Sequence, residues 1–145
     1  MAQFEGRLSD APVVYVLCQI RFSAIEKLAD YVPSIQDRLR TEFPIFDRQE
    51  MAGISLSTGA PPQLQTATRW VFSNRTQDSG FLLSTNGLVS HTTKYRDFEH
   101  FLKLTLSGFE ALHAVARVGV IQRLGLRYID LVSAAEGEDV EQYLE

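Results

Sequence analysis

Residues 12–22, Pro-Val-Val-Tyr-Val-Leu-Cys-Gln-Ile-Arg-Phe, and residues 120–132, Val-Ile-Gln-Arg-Leu-Gly-Leu-Arg-Tyr-Ile-Asp-Leu-Val, carry the strongest structural signal in this chain. Both segments are rich in β-branched and aromatic residues, which predicts strands. Each is apolar on both faces over half of its length and carries Gln and Arg on one face over the other half. The pattern predicts two strands of one sheet with an arginine-bearing patch at one end.

A helix is expected directly after the first strand. Apolar residues recur at three- and four-residue spacing from Ile25 to Phe43, which is typical of an amphipathic helix. Ser23 has the right side chain to cap it, and Pro33 predicts a kink or a restart with proline at the first helical position. Pro44 is expected to end the helix.

The middle of the chain predicts a run of short strands. They are expected at residues 51–58, 69–73, 81–85 and 88–95. The last two are joined by Asn86-Gly87, a pair that favours the positive φ angles of a tight type I′ turn. Successive hairpins favour an antiparallel sheet.

A second, longer helix is predicted after the hairpins. Asp97 is expected to cap it, and Gly119 is expected to stop it. Its apolar stripe comprises Phe98, Phe101, Leu102, Thr105, Phe109, Leu112 and Ala116. The predicted class is therefore α+β, a two-layer sandwich with two helices on one face of a mostly antiparallel sheet and the order β-α-β-β-β-β-α-β. We expect one domain over residues 1–133, with residues 134–145 as an acidic tail or the start of a truncated following segment.

Composition limits the functional classes. The 145 residues are 45% hydrophobic and 22% charged, as in an ordinary soluble domain. The net charge of −4 gives no global electrostatic case for nucleic acid. The N-terminus lacks a signal-peptide pattern and no apolar stretch approaches the roughly 18 residues of a membrane span, so a cytoplasmic protein without membrane contact is expected.

The arginines are the main candidates for a site. Arg21 shares a strand face with Gln19, and Arg123 shares one with Arg127. Antiparallel pairing of the two strands would bring these four residues together on the helix-free side of the sheet. Adjacent like charges are unfavourable unless something neutralises them. The neutralising group could be Asp130, another carboxylate of the chain or an external anion, so internal salt bridges and an anion or partner site both stay open.

Other chemistry finds little support in the sequence. His91, His100 and His113 lack the spacing of metal ligands, and Cys18 sits among apolar strand residues, where a buried thiol is expected. No nucleophile elbow, phosphate loop or dinucleotide fingerprint is present in the sequence. We therefore predict no catalytic residue, no metal and no cofactor, and we favour a protein that is not an enzyme.

Uncovered apolar surface predicts a partner. Residues 13–17 and 128–132 are apolar on both faces and need cover on both sides. The expected cover is protein, either a second copy or an absent C-terminal domain. Strand aromatics such as Tyr15 and Trp70 could instead stack nucleic-acid bases, but core filling is the favoured interpretation.

The motifs Pro12-Val13, residues 18–22 (Cys-Gln-Ile-Arg-Phe) and residues 126–130 (Leu-Arg-Tyr-Ile-Asp) resemble a sporadically distributed bacterial family of uncharacterised proteins. The resemblance covers residues 12–132. The family's members are longer, which implies that this chain corresponds to an N-terminal half. Their patchy distribution resembles that of mobile or defence-associated genes.

The functional hypothesis from the sequence is a non-enzymatic interaction or ligand-binding module that uses the helix-free sheet face. The alternative is the N-terminal part of an enzyme or defence-associated protein that acts on an anionic substrate or nucleic acid.

Overall fold

The computed structural model describes residues 13–131 and Gly137. The elements in chain order are β1 (Val13–Phe22), α1 (Leu28–Leu39), β2 (Ile45–Ser55), β3 (Gln63–Ser73), β4 (Ser79–Ser84), β5 (Gly87–Thr92), α2 (Phe98–Ala116) and β6 (Ile121–Asp130). All neighbouring strands are antiparallel, in the spatial order β2-β3-β4-β5-β1-β6. The predicted class and element order are confirmed. The predicted acidic tail lies outside the described residues apart from Gly137.

The core forms between one face of the sheet and the two helices. In β1, Val16, Cys18, Ile20 and Phe22 are buried, whereas the alternate residues are half-buried or exposed. This period of two is expected for a strand with one covered face. The buried set of the whole core comprises Val16, Cys18, Ile20, Phe22, Leu28, Val32, Ile35, Leu39, Phe43, Trp70, Phe72, Phe81, Leu83, Leu88, Phe101, Ala111, Leu112 and Val118.

The first helix is shorter at its start than predicted. Lys27, not Ser23, occupies the cap position of α1, and it makes no side-chain cap hydrogen bond. The Ile25 N–H donates to the Thr85 carbonyl (2.9 Å), which ties the preceding segment to the β4–β5 turn and delays the helix. Pro33 lies inside α1, so the predicted restart at this proline is wrong.

The β4–β5 turn also differs from the prediction. Ser84 pairs with Gly87, so the two turn residues are Thr85 and Asn86, and neither Asn86 nor Gly87 has a positive φ. The predicted type I′ turn at Asn86-Gly87 is therefore wrong. The Asn86 carbonyl accepts from the Phe22 N–H at 3.1 Å, a tertiary hydrogen bond that local turn preference does not contain.

The β2–β3 hairpin is longer than predicted and extends past the rest of the sheet. Residues 70–73 of β3 pair with β4, whereas residues 63–69 pair only with β2. The distal part, residues 51–67, is a two-stranded arm. Its apolar side chains are strongly exposed: Ile54 by 70%, Leu56 by 80% and Leu64 by 74%.

The second helix begins as predicted and ends differently. The Asp97 carboxylate accepts from the His100 N–H at 2.7 Å, which confirms the cap. The helix ends at Ala116, and its C-cap residue Arg117 takes a left-handed conformation (φ 53°) and donates its N–H to the His113 carbonyl. Gly119 has no such conformation, so its predicted role as the stop is wrong. Within the described part of the chain, neither helix is long and apolar enough to cross a bilayer.

Candidate functional site

The four candidate residues from the sequence lie on the helix-free face of the sheet. Gln19 and Arg21 alternate with the buried residues of β1 and therefore point away from the helices. The strand register places Arg21 opposite Arg123, and it places Gln19 opposite Gly125. Arg127 is opposite Leu17 in the same ladder, so it also points to the helix-free face. We call Gln19, Arg21, Arg123 and Arg127 the arginine strip.

Two of the three arginines are direct neighbours. Side chains directly opposite each other on antiparallel strands have Cβ atoms about 5 Å apart, and this applies to Arg21 and Arg123. Arg127 is four residues from Arg123, or about 13 Å along an extended strand. Between them lies Gly125, where an added Cβ would meet nothing within 4 Å. The strip therefore has a paired end, an open middle and a single arginine at its other end.

The arginine strip is not neutralised by the part of the chain that the structure describes. Over residues 13–131, none of its arginines forms a hydrogen bond or ion pair. Asp130 was one candidate neutraliser. It is three residues from Arg127, and strand alternation places its side chain on the helix side instead. The guanidinium groups are exposed and available to an external acid.

The strip borders a half-buried apolar area on the same face. Leu17, Leu82 and Val89 are half-buried there although no described helix covers them. Tyr15 stacks on His91 with ring centroids 5.8 Å apart. Burial raises the pKa of the Tyr15 hydroxyl and lowers the pKa of His91. The His91 Nε2 atom is buried without a hydrogen-bond partner in the described structure.

His91 is expected to make stability fall as the solution is acidified. Because burial holds its folded pKa below the ordinary value of 6.5, the unfolded chain binds the proton more readily. The stability that neutral His91 contributes is fully present above pH 6.5. It is lost as the pH falls from 6.5 through the lower pKa of His91 in the folded protein. Urea unfolding of the wild type and His91→Phe at pH 7.5 and pH 5 should show a smaller loss in the variant. An equal loss in both proteins contradicts this origin, and His113→Gln, which alters an exposed ring, is the control.

An apolar groove lies on the other side of β6, between that strand and α2. It has a volume of about 350 Å³ and apolar walls. The lining residues are Cys18, Ile20, Phe98, Phe101, Leu102, Thr105, Leu106, Phe109, Ile121, Leu124 and Leu126. Along its outer rim, Phe98, Leu102 and Leu106 are 51%, 40% and 45% exposed. They recur every four residues and so lie along one side of α2.

The sequence pattern did not predict this groove. It assigned Phe98 and Leu102 to the apolar stripe of the second helix, and the structure leaves both exposed. The six strands form a sheet wider than two helices can cover, so β6 extends beyond the helical layer. Tyr128, on the helix side of β6, is likewise 41% exposed. Apolar spacing along a helix does not show which part of the fold covers each apolar side chain. The groove depends on tertiary packing and therefore could not be predicted from the helical pattern.

A polar cleft of about 470 Å³ also lies between α2 and the turn after β3. Its basic side chains include Arg96, His100 and Lys103, but the acidic Glu42 lines it too. Two further lining hydroxyls, those of Ser79 and Thr92, hydrogen-bond each other at 2.8 Å. The mixed charge and the satisfied hydroxyls make this cleft a weaker candidate than the arginine strip.

The remaining sequence candidates lie in the core or apart from each other. Cys18 is buried, and burial raises the pKa of its thiol. Trp70, Phe72 and Phe81 are core residues, which confirms core filling for these aromatics. No group of three or more metal-ligating His, Cys, Asp or Glu side chains occurs within the residues that the structure describes.

Comparison with known proteins does not identify a family. No protein-family model matches the chain, and no curated protein matches it. The resemblance to a sporadically distributed bacterial family therefore stays a prediction from the motifs.

Proposed function

We propose that this protein is a non-enzymatic interaction module that binds an acidic protein segment through the arginine strip. The observation that carries the proposal is the exposed pair Arg21 and Arg123, which lie directly opposite each other on adjacent strands and form no ion pair within the described residues. Like charges placed directly opposite are destabilising. A partner carboxylate removes that repulsion and gains charge-assisted hydrogen bonds, which are stronger than neutral ones.

The surroundings of the strip support a protein partner. Leu17, Val89 and Leu82 provide half-buried apolar contact area beside the charges. An apolar centre with arginine and polar residues around it is typical of protein interfaces. Arginine also forms planar, bidentate contacts with carboxylates, which fix the orientation of a partner. The same strip would accept a phosphate, which keeps a nucleic acid as the alternative ligand.

Nucleic acid is less well supported than protein. Single-strand binders combine a basic groove with exposed aromatic platforms. Here Trp70, Phe72 and Phe81 belong to the core, and Tyr15 is engaged with His91.

Replacing the strip arginines tests the proposal. The variant Arg21→Gln/Arg123→Gln/Arg127→Gln should lose binding to a fluorescent twelve-residue polyglutamate peptide, measured by anisotropy at low salt. Each lost charge-assisted hydrogen bond is worth about 1.5–3 kcal/mol, so the affinity should fall at least about tenfold. A fluorescent oligothymidine of matched charge serves as the competing probe.

A charge-matched control distinguishes binding at the arginine strip from the effect of the protein's net charge. Arg38, Arg40 and Arg75 are exposed elsewhere on the chain, and their replacement by Gln changes the net charge by the same amount. This control should bind polyglutamate nearly as well as the wild type. Equal weakening of both variants would exclude a dedicated site. Tighter, steeply salt-dependent binding of the oligothymidine would favour the nucleic-acid alternative.

A further inference from the structure

We infer that the acidic partner binds as an added β-strand alongside β6 and carries the motif acidic–apolar–any–apolar–acidic. This inference rests on the proposed function and specifies the partner's form and sequence. β6 lies between the two surfaces described above, with the arginine strip on one side and the apolar groove on the other. A neighbouring strand meets both surfaces at once, because its side chains alternate between the two faces of the sheet.

The free edge of β6 is suited to strand addition. Within the described residues, β6 pairs only with β1 and forms one end of the sheet. It is ten residues long, and Ile121, Leu124 and Ile129 are 51%, 68% and 44% exposed. Exposed, apolar edge strands are templates for pairing with another chain. At its centre, Gly125 has no side chain and open space around it, which permits close approach of a second backbone.

The two faces of β6 select different side chains. Arg123 and Arg127 point to the helix-free face, so partner residues beside them should be acidic. Leu124 and Leu126 point to the helix side, where they line the apolar groove. Partner residues beside these leucines should be apolar, since they also reach the exposed rim of α2.

The motif follows from this alternation. Partner positions opposite residues 123 and 127 are acidic, those opposite 124 and 126 are apolar, and the central position faces Gly125. The five-residue pattern is the same in both chain directions, so it holds for parallel and antiparallel addition. Its two acidic residues are four apart, which matches the about 13 Å between the arginines.

A second copy of β6 fits this edge less well than an acidic segment. The residues of β6 on the helix-free face include Arg123, Gly125, Arg127 and Ile129. None of them is acidic, so antiparallel pairing of β6 with itself, which keeps the two helix-free faces on one side, leaves the arginines without a carboxylate in any register and adds further positive charge. Charge complementarity therefore favours a partner strand of different sequence.

A peptide with alternating methylation tests the added strand. The probe is acetyl-Ser-Thr-Glu-Val-Thr-Val-Glu-Thr-Ser-amide, with binding to the 145-residue protein measured by calorimetry. Two further peptides are N-methylated, one at the second glutamate and the central threonine, the other at both valines. In a strand, the N–H groups of successive residues point to opposite edges, so those of every second residue share one edge. One methylated peptide should therefore bind like the parent and the other at least about tenfold more weakly, through lost hydrogen bonds and steric blockage.

The outcomes separate this inference from the proposed function. Replacing both glutamates by lysine should abolish binding, and so should the triple arginine-to-glutamine variant. If binding needs the glutamates and the arginines but both methylated peptides bind alike, the added strand is wrong and the acidic-partner function stands. If the parent peptide binds equally well to the triple variant, the arginine strip is not the site and both proposals fall. Absence of binding by the parent peptide while polyglutamate binds also overturns the motif.

Discussion

Gly108→Ala is expected to destabilise the protein by about 2 kcal/mol, although alanine is the better helix former. In an ordinary helix interior this substitution stabilises by about 1 kcal/mol. Here a Cβ on residue 108 would clash with Cε1 of Phe81 and lie 2.6 Å from Cδ1 of the same ring. Phe81 is fully buried and has Phe43 against it, with ring centroids 4.7 Å apart, so its ring has nowhere to retreat. Overpacking of this kind costs about 1–3 kcal/mol, and the clash is severe enough to outweigh the helix preference.

Urea unfolding of the wild type and four variants separates the clash from other effects. Gly125→Ala, at a glycine with open space around it, should be neutral or slightly stabilising. Phe81→Leu alone should destabilise through lost packing. In Gly108→Ala/Phe81→Leu the smaller side chain leaves room for the new methyl group, so the double variant should lose less than the sum of the single losses. Additive losses would mean that the ring of Phe81 does not limit residue 108.

Much of this fold was predictable because its signals are local. The burial alternation of β1, the cap at Asp97 and the order of strands and helices follow from spacing and side-chain type within a few residues. The errors arise where distant backbone groups decide. The N–H groups of Phe22 and Ile25 donate to the β4–β5 turn, and these bonds determine both the turn and the late start of α1.

The length of the second and third strands was underestimated for a related reason. Arg48 and Glu50 make the first half of β2 polar. A prediction based on alternating apolar residues therefore did not recognise this part of the strand. In the structure they form a surface ion pair at 2.9 Å, and the Thr68 hydroxyl on β3 donates to the Glu50 carboxylate at 3.1 Å. Cross-strand polar contacts of this type stabilise a solvated ribbon without a buried face.

The candidate site was partly predictable. Strand alternation sufficed to place Gln19 with Arg21 and Arg123 with Arg127. It could not give the register, and so could not show that Arg21 meets Arg123 whereas Arg127 lies apart. The apolar groove was missed altogether. An amphipathic stripe identifies Phe98 and Leu102 as apolar, but only the width of the sheet relative to the helices shows that they remain exposed.

Arg21→Glu is expected to strengthen folding and weaken binding at the same time. The substitution converts a like-charge pair with Arg123 into an opposite-charge pair. Opposite charges at directly paired strand positions stabilise by about 0.2–1 kcal/mol, and like charges destabilise. Residue 21 also faces Gly87 on β5, which presents no side chain to interfere. We therefore expect a gain of up to about 1 kcal/mol in the free energy of unfolding, smaller at high salt.

The same change should lower the affinity for the glutamate-containing peptide about 100-fold. It removes one cation and also occupies the Arg123 guanidinium with an internal carboxylate, so the loss corresponds to about 3 kcal/mol. Arg21→Gln should relieve the repulsion without forming the new ion pair. Its free energy of unfolding and its peptide affinity should therefore lie between those of the wild type and Arg21→Glu. Arg21→Glu/Arg123→Glu restores a like-charge pair of opposite sign. Its stability should return towards the wild-type value while the peptide still fails to bind.

Opposite effects of Arg21→Glu on stability and on binding are informative, because binding residues often reduce the stability of the protein that carries them. If Arg21→Glu destabilises the fold, or if it binds the peptide as the wild type does, the arginine pair is not held for an acidic partner.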